Sequence, residues 1–325
     1  MPNPKIIVLF VCLAASTVLA NGPFHRFSAD LGRLEDSASV DWAGISRHDV
    51  DGQNRELGWS DFAAEGFFVA RQSERFEWSL QPRFGYRKLE GSALLVDRGQ
   101  WLPRDLYDVS VGSTIRYKLE NDWIIGARTE VGSSSDKPFA SDEELAVQAT
   151  AFAQMPWRES LDWVFMLDYA NNRSFGRHVP LPGAALHYYP NRSLDVLAGF
   201  PYSSVRWMPQ PKVTLTASYL IPRAVRAEAA YKLTDCLTVY GLYAWDHESW
   251  FRHDRHDDAD QLYYYEMRTE LGLRWELLDG LGLEFAGGYA FDRFWYEGDE
   301  WEDRGRNDID LEDACYIRLG ASYRF

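Results

Sequence analysis

Three groups of residues in this chain have types and spacing that could do chemistry. In Asp246-His247-Glu248-Ser249 an imidazole and a hydroxyl stand two residues apart. On a strand such residues share a face, so an acid partner would complete a hydrolytic triad around His247 and Ser249. The ordinary identity of that tetrapeptide is a polar strand end entering a loop. Just beyond it, 252–260 sets His253, His256 and Asp257 among arginines and further carboxylates. Imidazole and carboxylate at that density suit a transition metal, although such a run is more often a solvated loop. The third group is acidic: Glu297, Asp299, Glu300, Glu302, Asp303, Asp308, Asp310, Glu312 and Asp313 against Arg304 and Arg306. Carboxylate oxygens suit hard cations, but the spacing fits no calcium loop, and solubility of an exposed loop is the simpler role. There is no Gly-rich phosphate loop, no HExxH and no CxxC. We expect no enzyme and no cofactor.

The segments that would carry these groups alternate with period two. In 76–87 the even positions are apolar and most odd ones polar. Val109, Val111, Ile115 and Tyr117 alternate with Ser110, Gly112, Thr114 and Arg116, and 161–169, 213–219, 267–275 and 281–292 repeat the pattern. Side chains on a strand point alternately to its two faces, so this is strand periodicity and the fold class is all-β. No helical spacing extends beyond three turns.

The N-terminus has a lysine at position 5, an apolar run over 6–15 and the ending Val18-Leu19-Ala20. A charge, a short greasy core and small residues make a secretory signal peptide over 1–20. No second apolar run of membrane-helix length follows. The exported chain is therefore either soluble or a membrane β-barrel, whose strands need only about ten residues. Aromatics form 15% of the chain, with 13 Trp and 18 Tyr, types that favour the bilayer interface. A formal charge of −15 argues against a nucleic-acid partner. Beyond the signal only Cys236 and Cys315 remain, and we expect both to be free thiols at opposite ends of the fold.

Counting back from the end, Phe325, Tyr323, Ala321, Leu319, Ile317 and Cys315 alternate with Arg324, Ser322, Gly320 and Arg318. This ending resembles the C-terminal signature of bacterial outer-membrane β-barrel proteins, whose assembly machinery reads a terminal aromatic. The resemblance implies Tyr323 and Phe325 as an assembly signal. It also implies the outer membrane of a double-membraned bacterium as location, with its lipid and the barrel-assembly machinery as partners. His-x-Ser on a strand is similar to the arrangement in lipid A deacylases of that membrane. The Asp/His loop resembles outer-membrane aspartyl-type proteases. Val179-Pro180-Leu181-Pro182-Gly183, with Tyr189-Pro190-Asn191 and Gly199-Phe200-Pro201, resembles an uncharacterised family of outer-membrane barrels, which implies no activity.

Tight connections near 72–74, 120–122, 190–192, 210–211, 234–235 and 279–280 alternate with long polar ones at 48–59, 88–106, 133–143, 172–182, 250–261 and 297–310. Outer-membrane barrels sort short turns and long loops to opposite ends in this way. We therefore expect a transmembrane antiparallel up-and-down β-barrel over 38–325, after a periplasmic segment at 21–37. The strand number should be even, 12–16 with 14–16 the best tally; prolines between 183 and 223 interrupt the pattern there. Trp123, Trp163, Trp275, Tyr323 and Phe325 should form one aromatic girdle, and Trp59, Tyr107, Trp245, Tyr263, Tyr265 and Trp295 the other. Arg83, Arg116, Arg128, Glu130, Arg226, Glu228, Arg268, Glu270, Arg274, Glu284 and Arg318 should line the lumen. Their excess of arginine favours anions. Loop 88–106 should fold inward, because Leu94-Leu95-Val96 and Trp101-Leu102 want burial. The function expected is a passive, porin-like channel for small polar solutes. A closed structural or adhesive barrel and a barrel-borne lipid or peptide hydrolase are the alternatives.

Overall fold

The computed structural model describes residues 31–95, 99–173, 176–221, 224–300, 303–304 and 308–325. The expected signal peptide at 1–20, most of the 21–37 segment, and Val96, Glu302 and Arg306 lie outside them. From Ser37 onward the chain is almost continuous sheet. The strands are β1 (Ser37–Val50), β2 (Gln53–Ser73), β3 (Phe76–Gly91), β4 (Asp105–Lys118), β5 (Ile124–Ser135), β6 (Ala146–Arg158), β7 (Leu161–Ala170) and β8 (Leu181–Asn191). There follow β9 (Leu194–Phe200), β10 (Tyr202–Gln210), β11 (Val213–Leu220), β12 (Ala224–Lys232), β13 (Leu237–Trp250), β14 (Gln261–Leu278), β15 (Leu281–Gly298) and β16 (Ala314–Arg324). A three-residue piece, Ile309–Leu311, precedes β16 as part of the same strand.

Every strand pairs antiparallel with its sequence neighbours, and β16 also pairs with β1, from Ser37↔Arg324 to Ile45↔Tyr316. The sheet closes as a sixteen-strand up-and-down barrel, at the top of the expected even range. Closure leaves no open sheet edge, which is what a barrel in lipid requires. The proline-rich stretch is strand after all. Pro182, Pro190 and Pro209 fall at the ends of β8 and β10, and Pro201 and Pro211 fall between strands, where a missing N–H costs little of the ladder. The connection at 48–59 is not a loop. β1 and β2 run on, with bulges after Ile45 and after Asp49, and meet at Asp51-Gly52.

The wall is uneven in height. β2, β14 and β15 have 21, 18 and 18 residues. Strands β9 to β12 have 7, 9, 8 and 9. Outward faces carry a wide exposed apolar belt that includes Val111, Phe165, Leu167, Leu271, Phe285 and Ile317. An apolar surface this extensive needs a covering partner, and a bilayer is the one that fits an outward belt around a closed barrel. At the short-turn end Trp163 stacks on Phe165 at 5.8 Å and Tyr323 meets Phe325 edge-on at 4.8 Å.

The other girdle differs from expectation. Tyr107 and Trp245 face outward; Tyr263 and Tyr265 share the outward side of β14 but are buried with Phe294 and Tyr296 in a cluster of their own, and Trp59 and Trp295 are buried in the core at the long-loop end. Trp59 shares the inward face of β2 with Asp61 and Glu65. Trp295 is turned in by a bulge: Met267 pairs with Phe291 while Tyr265 pairs with Phe294, so two residues of β15 oppose one of β14. Asp292 there has φ 49°. The extra residue swaps the faces, so Arg293, Trp295 and Glu297 point inward beyond it.

Candidate functional site

The inner wall is a surface of paired charges. Arg83 lies 3.6 Å from Glu65 and 3.3 Å from Asp108. Arg116 pairs with Glu77, and Arg128 with Glu130. Arg226 lies 4.0 Å from Glu228. Arg268 reaches Asp246 and Glu266, each at 2.8 Å, and Arg274 reaches Glu228 at 2.6 Å and Glu284 at 3.2 Å. Arg318 meets Asp41 at 3.1 Å, Glu270 at 2.7 Å, and Glu284. Several of these carboxylates, among them Asp41, Asp61, Glu65, Glu77, Asp108 and Glu266, were absent from the sequence reading. Their alternation was readable: Asp61, Ala63 and Glu65 share one face of β2 while Phe62 and Ala64 take the other. With them in place the arginine excess disappears, and the wall gives no support to an anion preference.

Glu270 is the hub of this network. Its carboxylate accepts from the Tyr240 hydroxyl at 2.6 Å, the Tyr316 hydroxyl at 2.9 Å and Arg318 Nε at 3.1 Å. Both tyrosines lie flat along the wall, over glycines. A Cβ on Gly272 would collide with the Tyr240 ring, and one on Gly288 with the Tyr316 ring. Glycine at these two positions lets Tyr240 reach Glu270 on the adjacent strand and lets Tyr316 reach it across β15.

At the long-loop end, one side of the barrel is packed solid. The Arg87 guanidinium lies 5.0 Å from the ring centroids of Trp59 and Trp250, 4.8 Å from Tyr264 and 5.9 Å from Trp295. Its charge is met by Asp61, whose Oδ1 accepts from Nε at 2.6 Å, and by Glu248 at 2.8 Å. Rings with electron-rich faces and two carboxylates are what a desolvated guanidinium needs. Loop residues Ala93, Leu95 and Leu102 bury themselves in the same cluster, so the loop between β3 and β4 folds inward as expected. The Gln53 amide fixes it, accepting from Leu94 N–H and donating to Leu94 C=O, each at 2.9 Å. Trp101 departs from the expectation: it stays half-exposed, with Arg55 above it at 5.2 Å.

The loop after β13 crosses the mouth. Phe251 N–H donates to the Ser134 carbonyl at 2.8 Å, and Asp136 N–H donates to the Phe251 carbonyl at 3.3 Å. These bonds make a parallel bridge between Phe251 and Ser135. The loop is fastened further along. Arg252, which is 1% exposed, pairs with buried Glu297 and with Asp254. His253 N–H donates to Asp136 at 2.7 Å, and its Nδ1 lies 3.0 Å from the fully buried Glu144 carboxylate. Arg177 donates to the Ala259 carbonyl at 2.6 Å and the Asp299 carbonyl at 3.0 Å. Between this loop and the loops that follow β5, β7 and β15 lies a cavity of about 720 Å³. Arg173 lines it and pairs with Asp168 on the inner face of β7, beside Gln148 and Thr150.

The remaining candidates are placed as follows. His247 and Ser249 both lie on the outward face of β13. The His247 ring stacks on Tyr263 at 5.1 Å, and its Nε2 lies 2.9 Å from the Tyr296 hydroxyl, so a phenol engages the nitrogen a triad would use. Of the metal candidates, His253 is tied to Glu144 while His256 and Asp257 sit in the exposed part of the loop. Among the described residues no group of three or more His, Cys, Asp or Glu is arranged to hold a metal ion. Cys236 and Cys315 are free and exposed, one at a short turn and one near the long-loop end. Tyr323 and Phe325 are exposed on the outer wall.

No protein-family model matches the chain, and no curated protein matches it. Among solved structures, similar chains include a FadL homologue of Pseudomonas aeruginosa (12% identity, 89% of this chain and 90% of that one, TM-score 0.40). Others are the Acinetobacter baumannii outer membrane protein Omp33 (9% identity, 90% and 100%, TM-score 0.37) and an outer membrane channel from Pseudomonas putida F1 (10% identity, 92% and 98%, TM-score 0.37). Superposition this loose carries no argument about activity.

Proposed function

We propose that this chain is an outer-membrane, porin-like channel for small polar solutes. In this reading it is exported by the signal at 1–20 and inserted through an assembly signal that includes Tyr323 and Phe325. The observation that carries the reading is the inner wall. Inside β6, β7, β11 and β12 it presents Gln148, Thr150, Asp168, Thr214, Thr216, Arg226 and Glu228, with one apolar cluster of Val164, Ala185, Leu197 and Tyr202. A hydrophilic lining enclosed by an apolar outer belt is the arrangement of a water-filled barrel. The aromatic packing on the opposite side narrows the passage to the half lined by β5 to β13.

The second reading is a closed structural or adhesive barrel, and the packed mouth around Arg87 favours it. Planar bilayers containing the refolded protein separate the two. Discrete conductance steps support the channel; a correctly refolded, heat-modifiable protein without any steps supports the closed barrel. We assign no catalytic role. Lipid or peptide hydrolysis by the same preparation, lost on His247→Ala, would reverse that assignment.

A further inference from the structure

We infer that the cavity at the mouth is the entrance vestibule and that it makes the channel select cations. The inference rests on the channel reading above. Its starting point is the bridge between Phe251 and Ser135, which joins β13 to β5, strands eight apart in either direction around the sixteen-strand ring. That contact divides the long-loop end into two halves. The half containing β14 to β16 and β1 to β4 is filled by the aromatic cluster around Arg87. The cavity of about 720 Å³ lies beside that bridge, among the loops after β5, β7, β13 and β15, and in this inference it is the way in for a solute.

The cavity wall is strongly acidic. Asp142, Glu143, Asp257, Asp258, Asp299 and Glu300 line it, against the guanidiniums of Arg173 and Arg177 and the imidazole of His178. Arg173 pairs with Asp168, outside the lining, while Arg177 pairs with Asp299 and donates to the Ala259 carbonyl, both in the lining, so one of the six carboxylates is neutralised within the cavity. Glu143 has Arg255 at 3.8 Å. Asp142, Asp257, Asp258 and Glu300 have no ion pair with any described cation. Deeper in, the arginines of the inner wall are matched by carboxylates and present no compensating positive field. Like-signed charges around a concave entrance with low-dielectric walls focus the potential and concentrate counter-ions there. The solute class that fits is a small cation, inorganic or organic, rather than an anion or a neutral sugar.

The test is the reversal potential of the refolded full-length protein in planar bilayers under a tenfold KCl gradient. The expected result is selectivity for K⁺ over Cl⁻. It should fall by at least half in the combined variant Asp142→Asn, Asp257→Asn, Asp258→Asn and Glu300→Gln. Conductance in that variant should drop several-fold in dilute KCl and little in concentrated KCl, because salt screens the field. Asp51→Asn with Glu56→Gln, on the rim of the filled half, should leave selectivity unchanged. Conductance with chloride preference, or K⁺ preference that survives the four neutralisations in a protein of unchanged heat-modifiability, overturns this inference and leaves the channel standing. Absence of any conductance overturns the channel itself.

Discussion

Phe251, just beyond β13, and Ser135, at the end of β5, come from opposite sides of the barrel, yet Phe251 bridges Ser135 through backbone hydrogen bonds to Ser134 and Asp136 on either side of it. The contact is made by main-chain groups, so side-chain substitution alone does not remove it. Phe251→Pro removes one of its two hydrogen bonds, because proline has no N–H to give to Ser134. This variant should raise single-channel conductance and make the 251–260 loop open to protease in an otherwise folded barrel. Unchanged conductance with an intact loop would show that the bridge holds nothing shut.

Arg252 and Glu297 form a pair that is almost wholly removed from solvent. Truncating one partner strands the other charge. Arg252→Ala should cost about 3–5 kcal/mol of stability in a urea titration. Arg252→Met combined with Glu297→Gln should recover most of it, since no full charge then remains buried. Equal losses in the single and the combined variant would contradict this.

Gly272 gives Tyr240 its route to Glu270. Gly272→Ala should push the ring off the wall and lower the unfolding free energy by about 1–3 kcal/mol. The same substitution at Gly241, where an added Cβ meets only the Glu270 carbonyl oxygen at 4.0 Å, serves as the control and should be far milder.

Sidedness can be read from the native cysteines. A membrane-impermeant maleimide should leave Cys236 unlabelled on intact cells and modify it once the outer membrane is breached. Asp257→Cys in a Cys236→Ser, Cys315→Ser background should be labelled on intact cells. The reverse pattern would invert the barrel.

Removing Phe325 should reduce the amount of protein inserted in cells several-fold. The barrel refolded in detergent should keep its heat-modifiability, because the side chain makes few contacts within the molecule. A parallel loss in detergent would mean that Phe325 stabilises the fold rather than its assembly.

The barrel and most of its strands were legible because a period of two repeats along them, and because a terminal aromatic fixed the direction of counting; the short strands between 183 and 223 were not, since proline interrupts the pattern there. The faces of most arginines followed from the same alternation. What escaped was everything that depends on which strands stand opposite one another. Alternation says that Arg87 points inward; it does not say that Trp250 and Trp295 meet it there. The bulge at Asp292 left one trace in the sequence, the step of three from Phe291 to Phe294 where the neighbouring steps are two. Read as a continuous strand, that step sent Trp295 to the lipid side. The pairing of β5 with β13 leaves no local signal, since neither segment differs in composition from a neighbour that makes no such contact.

The unequal strands have a mechanical consequence. A strand of seven residues, such as β9, reaches ~23 Å along its own axis, and less than that along the normal once tilted. Beside β2, β14 and β15 the wall overshoots the hydrocarbon. Beside β9 and β11, with 7 and 8 residues, it falls short, and lipid must thin to meet it, at a cost of fractions of a kcal/mol per Å. The molecule therefore imposes a standing dimple on one flank of its own annulus. Two such dimples cost less merged than apart, so the short flank gives the protein a preferred azimuth toward any neighbour that also thins the bilayer.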